Sequence, residues 1–150
     1  MTMEVKIKKL NPKAILPSYQ TEHAAAMDVH AFIAESKTLQ PLERAMIPTG
    51  LAFEIPEGYE MQVRARSGLS IKHGLTMVNG VGTIDADYRG ELNILVINLG
   101  QEPFIIEPDM RIAQLLVTKY DKVSWQVSEV LSETDRGASG FGSTGFDKKL

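Results

Sequence analysis

The segment "GYEMQVRAR" (58–66) constrains the fold more than any other part of the chain. Tyr59, Met61, Val63 and Ala65 fall on one face, and Glu60, Gln62, Arg64 and Arg66 on the other. Only an extended strand has that period of two. "VSWQVSEV" (123–130) alternates in the same way and groups Val123, Trp125 and Val127. "ELNILVINL" (91–99) and "RIAQLLVTKY" (111–120) are denser in apolar residues, the pattern of strands covered on both faces. Pro41, Pro48, Pro56, Gly100, Pro103 and Pro108 punctuate these runs, and no long segment keeps a helical period. The pattern predicts an all-β protein, a jelly-roll-like barrel or sandwich. One short helix is predicted in "SGLSIKHG" (67–74), with Ser67 as N-cap and Gly74 as the stop. The apolar pattern ends after residue 131. The expected division is a β domain over 1–133 and a flexible, glycine-rich C-terminal arm over 134–150.

A length of 150 residues suits one domain with a single core. The net charge of −3 gives no basic surplus for general nucleic-acid binding. The absence of cysteine removes disulfides, thiol nucleophiles and cysteine metal sites. The N-terminus lacks the apolar run of a signal peptide, and no segment has the length of a membrane span. The expectation is a cytoplasmic protein with no membrane contact.

Several short segments carry polar groups at structural junctions. In "RARSGLSIKHG" (64–74), Arg66, Ser67 and Gly68 stand where a strand turns into the helix. Free N–H groups at a helix start, a guanidinium and a hydroxyl would cradle phosphate, but the same residues also suit a plain capped turn. "NGVGTIDADYRGEL" (79–92) reads as a tight hairpin carrying Asp85, Asp87, Tyr88 and Arg89. Exposed loop tips often look like this for solubility. Asp85, placed after apolar Ile84 and near Tyr88 in a half-buried loop, could instead be a general base toward water. In "DMRIAQLL" (109–116), Arg111 and Gln114 read as polar strand residues facing solvent. Asp28 stands alone in "AAAMDVHAF" (24–32), and His23, His30 and His73 show no metal spacing. The arm "RGASGFGSTGFDKKL" (136–150) places Arg136, Phe141, Ser143 and Thr144 among glycines that make ordering costly.

The order of these segments is more informative than any one of them. "AAAMDV", "RSGLS", "NGVGTIDADYRGEL", "RIAQLL" and "RGASGFGSTG" resemble, in sequence and approximate spacing, the five motifs of the homotrimeric dUTP pyrophosphatase (dUTPase) family, from about residue 24 to residue 145. The resemblance implies a jelly-roll-like fold and a homotrimer whose three sites are each shared between subunits. It also implies Mg²⁺-dependent hydrolysis of dUTP to dUMP and pyrophosphate, a reaction that limits uracil in DNA and supplies dUMP for thymidylate synthesis.

By the same resemblance, Asp85 activates the attacking water, and Tyr88 packs under the deoxyribose. Asn79, with hairpin groups of Gly82, Thr83 and Ile84, reads uracil. Arg66, Ser67, Gly68 and Gln114 contact phosphate. Arg136 neutralises the triphosphate, Phe141 stacks on the base, and Gly142, Ser143 and Thr144 cap the terminal phosphate. Asp28 is a supporting carboxylate near the phosphate–metal water shell, and no side chain binds the metal directly. The sequence departs from the family pattern at Ala26, Ala65 and Val81, where Gly, Pro and Pro are common, and none of these changes removes a polar group. A dCTP deaminase, the nearest alternative, would need a glutamate where this chain has Leu95.

Overall fold

Ten strands and one short helix are found among the described residues, 3–143 and 145, of the computed structural model. In chain order the strands are β1 (Lys6–Lys9), β2 (Met27–His30), β3 (Lys37–Leu39), β4 (Arg44–Glu54) and β5 (Tyr59–Arg64). After helix α1 (Ser67–His73) come β6 (Leu75–Met77), β7 (Gly82–Ile84), β8 (Glu91–Asn98), β9 (Phe104–Ile106) and β10 (Arg111–Lys119). They form one four-stranded sheet in the order β1-β4-β8-β6, a second in the order β2-β10-β5-β7, and a two-stranded β3-β9 pair. All pairings are antiparallel. This is the all-β, jelly-roll-like architecture that the alternation predicts. No helix among the described residues is long and apolar enough to cross a membrane.

The core follows from the period of two. Met61 and Val63 of β5 point inward, as expected, and join Val29, Ile47, Leu51, Ile94, Ile106 and Leu115 in one cluster. β8 departs from the expectation of burial on both faces. Leu92, Ile94, Val96 and Asn98 are buried, but Glu91, Asn93, Leu95 and Ile97 on the other face are only half-buried. One face of this sheet is therefore left without a full cover within the single chain.

Three further expectations are corrected. The N-cap of α1 is Arg66, with φ −89° and ψ 124° and no side-chain capping bond, so Ser67 is the first helical residue. Gly74 does end the helix, in the left-handed conformation at φ 72°. Residues 79–92 are not a hairpin of paired strands. β6 pairs with β8 and β7 with β5, so the turn at 78–81 crosses from one sheet to the other and the loop at 85–90 crosses back. Finally, 123–130 forms no strand. Val123, Trp125 and Val127 are exposed, the last at 96%. Alternation supplies a strand with a face but not with a partner, and an unpaired strand is not stable in water.

Candidate active site

The first of two clefts is built around a buried carboxylate. Asp28, in the middle of β2, is 7% exposed. Its Oδ2 lies 3.1 Å from Arg111 Nη1 and 3.4 Å from Arg66 Nη2. Arg66 also donates to the Arg111 carbonyl at 3.0 Å, and Arg111 to Gln20 Oε1 at 2.8 Å. The two guanidiniums are thus fixed side by side, with one carboxylate between them.

A bulge makes this arrangement possible. The register of β10 against β2 runs Gln114↔Asp28 and Ala113↔Val29, then shifts so that Arg111 faces His30. Simple alternation would put Arg111 on the same face as buried Ala113 and Leu115. The extra residue turns it to the face shared by Asp28 and Gln114. The sequence reading left Arg111 as a polar strand residue facing solvent and gave it no place in a site, and no local signal in "DMRIAQLL" announces the bulge.

The resulting cleft, about 520 Å³, is lined by Asp28, Arg66, Ser67, Gly68, Arg111 and Gln114, with Lys72 and His73 from α1. Gln114 donates to the Ala65 carbonyl at 2.9 Å and so holds the end of β5 where the chain turns into α1. The Ser67 hydroxyl, relieved of capping, is free to face the cleft. Positive side chains outnumber the one carboxylate, which suits a polyanion. Burial holds the His30 imidazole below its ordinary pKa, and Arg111 adds to the effect. Its Nδ1 is buried without a partner among the described residues.

The second cleft, about 300 Å³, lies between β7 and β8. Asn79, Gly82, Thr83, Ile84, Asp85 and Tyr88 line it, together with apolar Val63, Met77 and Leu95. The six come together because the 78–81 turn and the 85–90 loop bracket the three-residue β7. Gly80, at φ 74°, makes the first of these turns. Gly82 serves close packing instead: a Cβ there would sit 3.0 Å from Val63 Cβ. Leu95 leaves no acid at the position a deaminase would need. The other carboxylate of this cleft, Glu91, is engaged through Oε1 by the Gly50 N–H at 2.8 Å.

Asp85 is exposed in the single chain rather than half-buried. It stands on the partition between this cleft and a neighbouring one lined by Glu57, Asp87, Arg89, Tyr120 and Lys122. Among the described residues its carboxylate has no hydrogen-bond or ion-pair partner. Asp28 and Asp85 are therefore opposites, one committed to two arginines and the other uncommitted.

The described site candidates of the arm stay apart from both clefts. Arg136 donates through Nε to the Ser139 carbonyl at 2.9 Å, within its own turn. Phe141, at φ 51°, is fully exposed. Gly142 and Ser143 take part only in local turns. Thr144 lies outside the described residues. Among the described residues, none of the arm lines either cleft and none lines both.

A β-sandwich that carries an arginine-rich anion cleft and a separate, mainly apolar cleft edged by an amide and a carboxylate belongs to the class of nucleotide-handling jelly rolls. Comparison with known proteins is more specific. The dUTPase family model matches residues 12–145. The deoxyuridine 5′-triphosphate nucleotidohydrolase of Rickettsia prowazekii is 54% identical over 145 residues, 96% of this chain and 98% of that one. The enzyme of the same name from Fusobacterium nucleatum is 52% identical over 143 residues, 95% of this chain and 98% of that one. Among solved structures, the dUTPase of Staphylococcus bacteriophage 80alpha with dUPNHPP superposes with a TM-score of 0.85 at 31% identity. That match covers 97% of this chain and all of the phage chain. A variant of the phage phi11 dUTPase, described with a structural Mg(II) ion, matches with a TM-score of 0.77 at 25% identity, covering 87% of this chain and all of that one. The chain belongs to the dUTPase family.

Proposed function

We propose that this protein hydrolyses dUTP to dUMP and pyrophosphate, with Asp85 as the general base. The observation that carries the reading is the free Asp85 carboxylate beside a cleft edged by Asn79 and Tyr88. A base must be uncommitted to accept a proton from water, and Asp85 is, whereas Asp28 is held by two guanidiniums. The triphosphate is a polyanion that repels a nucleophile, so rate comes from positive charge, alignment and the base. Arg66 and Arg111 bring fixed charge to the phosphate cleft. Ser67 and the backbone at Gly68 add donors, and Gln114 holds the strand end that carries them. The uracil ring fits the smaller cleft. There the Asn79 amide and backbone groups of Gly82, Thr83 and Ile84 match its edge, and cytosine would leave a buried group unpaired.

Magnesium enters this reading with the substrate. Among the described residues no group of three or more His, Asp or Glu side chains gathers to hold a metal ion. The donor set fits an ion carried by phosphate oxygens and water, which demands few protein ligands. When bound it supplies positive charge to the phosphates. Asp28 supports this region by fixing the two arginines beside it.

The assembly we infer is a homotrimer with shared sites. The separation of the phosphate cleft, the nucleoside cleft and the arm within one chain supports sharing, since copies must meet to bring them together. Residues 134–150 act here as an arm that closes on bound nucleotide. Ordering costs roughly 1–2 kcal/mol per residue. Stacking of Phe141 on the base returns about 1–3 kcal/mol, so closure also needs the bonds from Arg136 and the arm backbone to phosphate. Cytoplasmic placement accords with this substrate. The test is pyrophosphate release from dUTP, dTTP, dCTP and UTP side by side. Turnover of dUTP well above the others is the expected result, and equal turnover of dCTP, or ammonia release from it, would contradict it.

A further inference from the structure

Gly90 carries a constraint that its own backbone does not impose. Its φ lies outside the left-handed region, so an L-residue could take the same conformation. The constraint comes from Tyr88, two residues earlier. A Cβ on Gly90 would collide with Tyr88 Oη and would lie 2.6 Å from Cζ and 2.9 Å from Cε2. The tyrosine ring is folded back over its own loop, and its hydroxyl donates to the Glu91 carbonyl at 2.9 Å. Glu91 is itself anchored across the sheet, because its Oε1 accepts the Gly50 N–H of β4 at 2.8 Å. The attitude of the ring is therefore set by a hydroxyl tether at one end and by a missing side chain beneath it.

We propose that Gly90 is a specificity-determining position that acts through Tyr88. With no side chain at 90, the ring lies close against the loop and forms part of the wall of the nucleoside cleft, where a ribose 2′-hydroxyl would meet it. Gly90 is a positioning residue in this scheme, and Tyr88 is the group that meets the sugar. The proposal rests on the dUTPase reading of this cleft. Alanine at 90 suits the backbone, so the cheapest relief is a swing of the tyrosine, a flexible side chain whose far end makes every close contact. The swing breaks the tether to Glu91 and opens the cleft to ribonucleotides, while Asp85 keeps its place in the loop.

The test measures kcat/KM for dUTP and for UTP in four proteins: the wild type, Gly90→Ala, Tyr88→Ala and the double variant. Gly90→Ala is expected to lower the dUTP:UTP ratio at least tenfold, chiefly by lowering KM for UTP, and to keep measurable dUTP hydrolysis. In the Tyr88→Ala background the same substitution is expected to leave the ratio unchanged, because no ring remains to be displaced. A Gly90→Ala protein with the wild-type ratio would overturn the proposal, and so would an equal fall in both backgrounds. Tyr88→Phe, which frees the ring from Glu91 without adding bulk at 90, is expected to lower the ratio by a smaller factor. An unchanged ratio there would remove the tether from the account. Failure of the wild type to hydrolyse either nucleotide would overturn the dUTPase reading itself, a result distinct from an unchanged ratio.

Discussion

Asp28 and Phe141 stand at opposite ends of one scale. Asp28 is buried in a sheet, paired with two arginines, and held in register by a bulge in the neighbouring strand. Phe141 is a bare aromatic ring on a run of local turns, with no neighbour outside its own segment among the described residues. The first region is finished when the chain folds. The second carries the same kind of chemistry, charge and an aromatic face, but among the described residues only its own local turns hold it. The difference separates groups whose geometry is set by folding from groups whose geometry must be set by ligand or by another copy. Substitutions in the first region should therefore change stability, and substitutions in the second should change turnover alone.

The largest effect belongs to neither pole. Asp85→Asn removes the free carboxylate at the edge of the smaller cleft and is expected to lower kcat by roughly 10² to 10⁴-fold while leaving nucleotide affinity close to normal. Single-turnover and equilibrium-binding measurements check both parts.

Truncation after Thr134 tests the arm pole. Turnover should fall by more than about tenfold, given the lost stacking and phosphate bonds, while the thermal midpoint stays where it was. A large drop in midpoint would show that the arm is part of the core and would erase the comparison.

Asp28→Ala tests the opposite pole. It leaves Arg66 and Arg111 facing each other without their shared partner. The expected loss is about 1–3 kcal/mol of stability, moderated because Arg111 keeps access to water. Urea unfolding measures it.

The smallest effect is a pH dependence. Burial, and next to it Arg111, lowers the His30 pKa from its ordinary 6.5, with Asp28 and Asp109 opposing. The folded state thus binds this proton less readily than the unfolded chain does. The stability is present above pH 6.5 and is lost as pH falls through the depressed folded value. Unfolding at pH 7.5 and at pH 5 should differ less in His30→Gln than in the wild type.

The sequence disclosed what depends on local pattern. The alternation in 58–66 and the stop at Gly74 both appear in the fold. Asn79, Thr83, Asp85 and Tyr88 of the smaller cleft are neighbours in sequence, so they were legible together. What stayed hidden depends on register and pairing. Arg111 enters the phosphate cleft only because of the β10 bulge. Residues 79–92 look like a hairpin, but β7 pairs with β5 in one sheet while β8 pairs with β4 and β6 in the other. Residues 123–130 alternate as a strand does, yet they meet no sheet edge within one chain. Each of these depends on what lies across from a residue, which a linear pattern does not contain.

If a complete site needs more than one copy of the chain, subunit complementation will reveal it. Asp85→Asn chains and chains truncated after Thr134, each nearly inactive alone, are unfolded together at equal concentration and refolded as a mixture. If the base comes from one copy and the arm from another, random assembly leaves about a quarter of the sites with both intact. Activity of the mixture should then rise well above the sum of the two preparations, toward roughly that fraction of the wild-type rate. Mixed assemblies that form, as shown by their mass, but hydrolyse dUTP no faster than that sum would contradict the account.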